Sequence, residues 1–82
     1  MLSQPTVGQI VCVPYTFNLE NWLPCEGQLL PQQEYEALYT LLGNRFGGEA
    51  SKNFALPDLR GKEPAPGLKW IIGIHGDYPV AI

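Results

Sequence analysis

The sequence predicts a small α+β domain, built of several short, mainly antiparallel strands with one helix packed across them. Three observations predict it. The chain has only 82 residues, enough for one domain. Nine glycines and eight prolines interrupt it so often that only short regular elements fit between them. A single stretch has helical periodicity, and β-branched and aromatic runs lie on either side of it.

The elements follow in order. Gly8 to Phe17 is rich in β-branched and aromatic residues and reads as a first strand. Its odd positions (Val11, Val13, Tyr15, Phe17) and its even ones (Ile10, Cys12) are both apolar, so both faces are expected to be covered. Pro14 cannot donate a ladder hydrogen bond, which places this strand at an edge or at a bulge. Asn18 to Asn21 forms a loop that delivers Trp22. Glu26-Gly27 calls for a tight turn with positive φ at the glycine, and Gln28 to Leu30 forms a short strand.

The helix is expected to begin after Leu30, with Pro31 in its first position, where a missing N–H costs nothing. Glu34 and Glu36 fall near its positive end. Tyr35, Leu38, Leu41 and Leu42 make one apolar stripe, and Gly43 ends it. Phe46-Gly47-Gly48 is a sharp loop. From Phe54 to Arg60 the pattern alternates, with Phe54, Leu56 and Asp58 on one side and Ala55, Pro57 and Leu59 on the other; Pro57 implies irregular or edge pairing. Residues 63–67 form a stiff connector. Residues 68–76 form a closing strand with Leu68, Trp70, Ile72 and Ile74 on one face. Residues 1–82 are read as one domain.

The totals narrow the function. The net charge is −3 and the five basic side chains are scattered, so no stripe exists to neutralise phosphates and no nucleic-acid partner is expected. No apolar run is long enough to span a bilayer, so no membrane insertion is expected. Met1-Leu-Ser-Gln-Pro5 has neither a basic nor an apolar region of signal-peptide type, so synthesis in the cytoplasm is expected. Two cysteines make no framework and no zinc motif. Cys12 and Cys25 read as reduced thiols acting as small hydrophobes, with one intrachain bridge as the alternative.

One ordered series carries more than the totals. It runs Gly8 and Ile10; Trp22, Cys25, Glu26, Gly27, Gln28 and Leu30; Leu41, Leu42 and Gly43; Phe46, Gly47 and Gly48; and Phe54, Leu56, Pro57, Asp58, Leu59, Arg60 and Gly61. This series, over residues 8–62, resembles the tail collar domain of bacteriophage tail fibres and their bacterial relatives, including the microcystin-dependent proteins. The resemblance implies a tail-collar-like fold and a role without catalysis, in building and presenting a particle's adhesive tip. It also implies a place on a virion tail or extracellular particle and association around a threefold axis. Two departures stand out. Leu19-Glu20-Asn21 occupies the place where relatives often have Pro-x-Gly, and only residues 63–67 separate the Arg-Gly motif from the final strand, where longer relatives insert a large segment. The His-x-His metal ligands of viral short tail fibres are not present, since His75 is the single histidine. A structural module is therefore favoured over a receptor-binding head, and no cofactor or metal is expected.

Individual residues fit that reading. Asp58 and Arg60, two apart on an extended segment, project to the same side and read as a pair that fixes the loop, or as a subunit contact. A ligand-binding pair is the sharper alternative. His75 lacks a neighbouring nucleophile and reads as a rim residue. Trp22 is expected in the core. Trp70, Ile72, Ile74 and Tyr78 are the candidate interface, through which a homo-oligomer (a trimer or an open filament) or other tail and fibre proteins would cover apolar strand faces. The reading from another class is a small carbohydrate- or surface-receptor-binding module that uses Trp70 and Tyr78 against a cell-surface glycan.

Overall fold

The computed structural model describes residues 6–14 and 19–79. Two antiparallel sheets and one helix make up these residues, in the order β1 (Ile10–Val13), β2 (Trp22–Pro24), β3 (Leu29–Pro31), α1 (Glu36–Leu42), β4 (Asn53–Ala55) and β5 (Lys69–Gly73). A small α+β domain of short strands is what the Gly and Pro spacing predicts.

The larger sheet has the order β1-β5-β2. In it Ile10 stands opposite Ile72, Cys12 opposite Trp70, and Leu23 opposite Ile72 from the other side. β1 is an edge strand, as Pro14 requires, and Pro14 is exposed just beyond it. Tyr15, Phe17 and Asn18, expected to continue the strand and open the next loop, lie outside the described residues, as do Met1 to Pro5. β3 and β4 form a separate two-stranded ribbon, with Leu30 opposite Phe54.

Alternation along β5 sends successive side chains to opposite faces of the sheet. Ile72 joins the main core with Val7, Cys25, Leu30, Leu38, Phe54, Leu56 and Ile74. Ile71 joins a smaller cluster with Val13 and Trp22. The central strand thus buries apolar side chains on both faces, whereas β1, expected to be covered on both, leaves Ile10 exposed and Val11 and Cys12 half-buried. Trp22 is buried, but in the smaller cluster.

The helix differs from expectation at its start. Pro31 is the last residue of β3, paired with Asn53, and the ladder continues through Gln32 N–H donating to the Lys52 carbonyl at 3.1 Å. Proline at the end of so short a strand removes little pairing. A turn over residues 32–35 follows, and helix starts only at Glu36, leaving Glu34 ahead of it. Seven residues cannot hold a helix in water by themselves. Packing holds it instead: Leu38 is fully buried, while Tyr35, Tyr39, Leu41 and Leu42 pack on the main core. Gly43 caps the C-terminus, its N–H donating to the Tyr39 carbonyl at 2.7 Å.

The expected alternation from Phe54 onward is also modified. Phe54, Ala55, Leu56 and Pro57 are all buried, because the segment is covered from both sides. On one side Gly48 makes this possible. Its φ is +100°, and a β-carbon there would lie 2.6 Å from the Phe54 α-carbon, so only glycine lets the loop backbone rest on β4.

Candidate functional site

The two densest parts of the motif series are bonded to each other. Residues 25–28 and residues 56–60 run side by side and close on one another as a clasp. Leu56 N–H donates to the Gln28 carbonyl at 3.0 Å, Leu59 N–H donates to the Cys25 carbonyl at 2.9 Å, and Glu26 and Asp58 form an antiparallel bridge. From the other side, Cys25 N–H donates to the Trp70 carbonyl at 3.0 Å. A segment that belongs to neither sheet thereby has its backbone groups satisfied.

Each motif residue has a local reason to be there. Gly27 has φ of +76°, the left-handed conformation that favours glycine, while a β-carbon on it would make only ordinary contact with Asp58 at 3.4 Å. Gln28 folds back over that turn: its Oε1 accepts from Glu26 N–H at 3.1 Å and its Nε2 donates to the Pro24 carbonyl at 2.8 Å. Cys25, Phe54 and Leu56 are almost wholly inaccessible and make the clasp's apolar floor, with Leu59 packed against it. Asp58 and Arg60 lie on the outside. Arg60 Nε and Nη2 donate to the two carboxylate oxygens at 2.9 and 2.7 Å, and Arg60 N–H adds a third bond at 3.2 Å. The fork ties off the turn toward Gly61, whose N–H donates to Glu63 Oε1 at 3.0 Å.

The electrostatics follow from this placement. Hydrogen bonds from Arg60 hold the Asp58 carboxyl at about 2, below its ordinary value of 3.8. Burial pushes the Cys25 thiol up from 9.0 to about 11, so it stays protonated and unreactive at neutral pH. Both cysteines are free thiols, Cys25 buried and Cys12 half-buried. His75 is exposed, stacked on Tyr35 with ring centres 5.3 Å apart. Among the described residues no group of three His, Cys, Asp or Glu side chains is placed to hold a metal ion. No helix among them is long and apolar enough to cross a membrane.

The expected interface needs correction. Ile72 is 0% exposed and Ile74, just past β5, 8%, because both pack into the main core of their own chain. Trp70 is half-buried against the main core, with its indole N–H already donating to the Lys62 carbonyl at 3.1 Å. Of the four residues only Tyr78 is exposed, at 51%. It shares that status with Leu29, Phe46 and Ile10, which sequence reading assigned to strands and loops without marking them. Asn44, just beyond the helix-ending Gly43, has a wider role than its place after the cap implies. It accepts from Tyr39 OH at 3.1 Å and donates to the Asn53 and Gly47 carbonyls at 2.9 and 3.2 Å, which joins helix, loop and β4. An asparagine just past a helix-ending glycine is the signal that was available.

The clasp thus joins two distant stretches of the motif series into one unit. The phage tail collar domain model matches residues 8–64, and the chain belongs to that family. The family is a structural one, and membership marks the chain as a component of a phage tail. No curated protein matches the chain.

Proposed function

We propose that this chain is a non-enzymatic structural subunit of a phage tail fibre that assembles with copies of itself, as a trimer on the family's pattern, and docks on other fibre proteins. The match over residues 8–64 carries the reading. The surface supports assembly. Leu29 (58% exposed) stands opposite Ala55 on β4, and Phe46 directly precedes Gly47, whose carbonyl accepts from Ala55 N–H on that strand's other side. Two large apolar side chains are thus offered on either side of one strand, in a chain too small to cover them. Association that buries them adds roughly 25 cal/mol per Å2 of apolar surface, offset in part by the freedom the associating copies lose.

Leu29→Asp and Phe46→Asp test the assignment. Each is expected to lower the mass in solution while the far-ultraviolet circular dichroism and the urea midpoint of the monomer stay in place. An unchanged mass for both variants would remove this surface from the assembly.

A further inference from the structure

A cleft of about 360 Å3 opens to solvent between the 32–40 segment and the loop that leads into β4. Its volume lies within the range of small-ligand sites, roughly 300–1,000 Å3. Gln32, Gln33, Glu36, Tyr39, Thr40 and Ser51 line it, so every lining side chain carries a hydrogen-bonding group.

These six divide into a fixed half and a free half. Gln32 Nε2 donates to the Asn53 carbonyl at 3.3 Å, Tyr39 OH donates to Asn44 at 3.1 Å, and Thr40 Oγ1 donates to the Ala37 carbonyl at 2.6 Å. Thr40 Oγ1 also meets Tyr78 OH at 2.7 Å. These bonds make a rigid wall. Gln33, Glu36 and Ser51 have no side-chain hydrogen bond or ion pair with any described residue. Ser51 lies in the turn ahead of β4 with φ of +74°, in the left-handed region that few non-glycine residues adopt.

The lining chooses the ligand class. It contains no lysine or arginine and one carboxylate, which disfavours phosphate and other anions. It contains no aliphatic side chain to receive an apolar molecule, and a single carboxylate is too few for a divalent cation. An amide, a carboxylate and a hydroxyl, all free and set beside a tyrosine ring, suit the adjacent hydroxyls of a neutral pyranose. We propose that this cleft is a saccharide-binding subsite in which Gln33, Glu36 and Ser51 hydrogen-bond the ring hydroxyls, with Tyr39 and Gln32 as its fixed wall. The subsite is separate from the surface proposed for assembly and does not depend on it.

Titration of the 15N-labelled full chain with glucose, galactose and N-acetylglucosamine, each up to high millimolar concentration, tests this. At least one sugar is expected to shift amide resonances saturably within residues 32–40 and 49–53. Gln33→Ala and Glu36→Ala both change exposed side chains and keep the fold. Glu36→Ala is expected to weaken binding by about tenfold, the loss of one charge-assisted hydrogen bond, and Gln33→Ala by less. No saturable shift with any of the three sugars overturns the proposal. So do shifts centred elsewhere, or binding that neither variant changes.

Discussion

The clasp and the cleft both carry polar side chains at their surface, and they use them in opposite ways. In the clasp, Gln28, Asp58 and Arg60 are bound to neighbours in their own chain, and the floor beneath them is Cys25, Phe54 and Leu56. In the cleft, Gln33, Glu36 and Ser51 point to no partner in the chain. The difference teaches that a polar side chain's type says little about its role until its partners are known. Groups bonded to one another hold the fold, and exposed groups held only by water beside a rigid wall can exchange that water for a ligand.

The strongest way to break the comparison is to attack the clasp's floor. Phe54→Ala is expected to cost about 3–5 kcal/mol, a large share of a small domain's stability. Ile72→Lys places an unpaired charge in the same core and is expected to unfold the monomer rather than merely dissociate an assembly. Urea denaturation followed by tryptophan fluorescence measures both, and a folded Ile72→Lys monomer would contradict the placement of β5. Gly48→Ala comes next, because the new methyl overlaps the Phe54 backbone at positive φ; a loss of about 1–3 kcal/mol is expected in the same experiment.

Alkaline pH gives a smaller effect with a definite sign. The folded state holds the Cys25 thiol at about 11 against an ordinary 9.0, so its contribution is present below pH 9 and is lost as pH rises toward 11. A loss on the order of 1–2 kcal/mol is expected, and it should be missing from the pH profile of Cys25→Ala. A thiol reagent at pH 8 should modify Cys12 first. If Cys25 reacts as fast as Cys12, it is not buried as described.

The acid side gives the smallest effect. Asp58 is held at about 2, so the contribution of its pair with Arg60 is present above 3.8 and is lost as pH falls through about 2. Because both side chains are well exposed, little change in stability is expected from Arg60→Gln. The carboxyl titration of Asp58 followed by NMR should nevertheless move back toward 3.8. Unchanged titration would mean that another group holds the carboxylate.

The clasp was legible in the sequence because its demands are local. Gly27 must reverse the chain, Gln28 reaches back only four residues, and Asp58 and Arg60 meet two positions apart. The helix start was not legible, because Pro31 fits the first turn of a helix and the last residue of a short strand equally well. Only the pairing with Asn53, far along the chain, decides for the strand. The interface expectation failed at Ile72 and Ile74 for the same reason. Apolar side chains on both faces of a strand imply cover on both sides, but they do not reveal whether the cover is another subunit or, as here for Ile72 and Ile74, the chain's own core of Leu30, Leu38, Phe54 and Leu56. The cleft was invisible because Gln33 and Ser51 meet only through the β3–β4 ribbon and the turns beside it.

The most direct test of the structural role is the mass of the purified chain in solution, read by light scattering across a dilution series. A defined assembly, a trimer or larger, is expected, dissociating to monomer only on dilution. A monomer that persists to the highest concentration reached would contradict self-assembly as the way this collar domain covers Leu29 and Phe46.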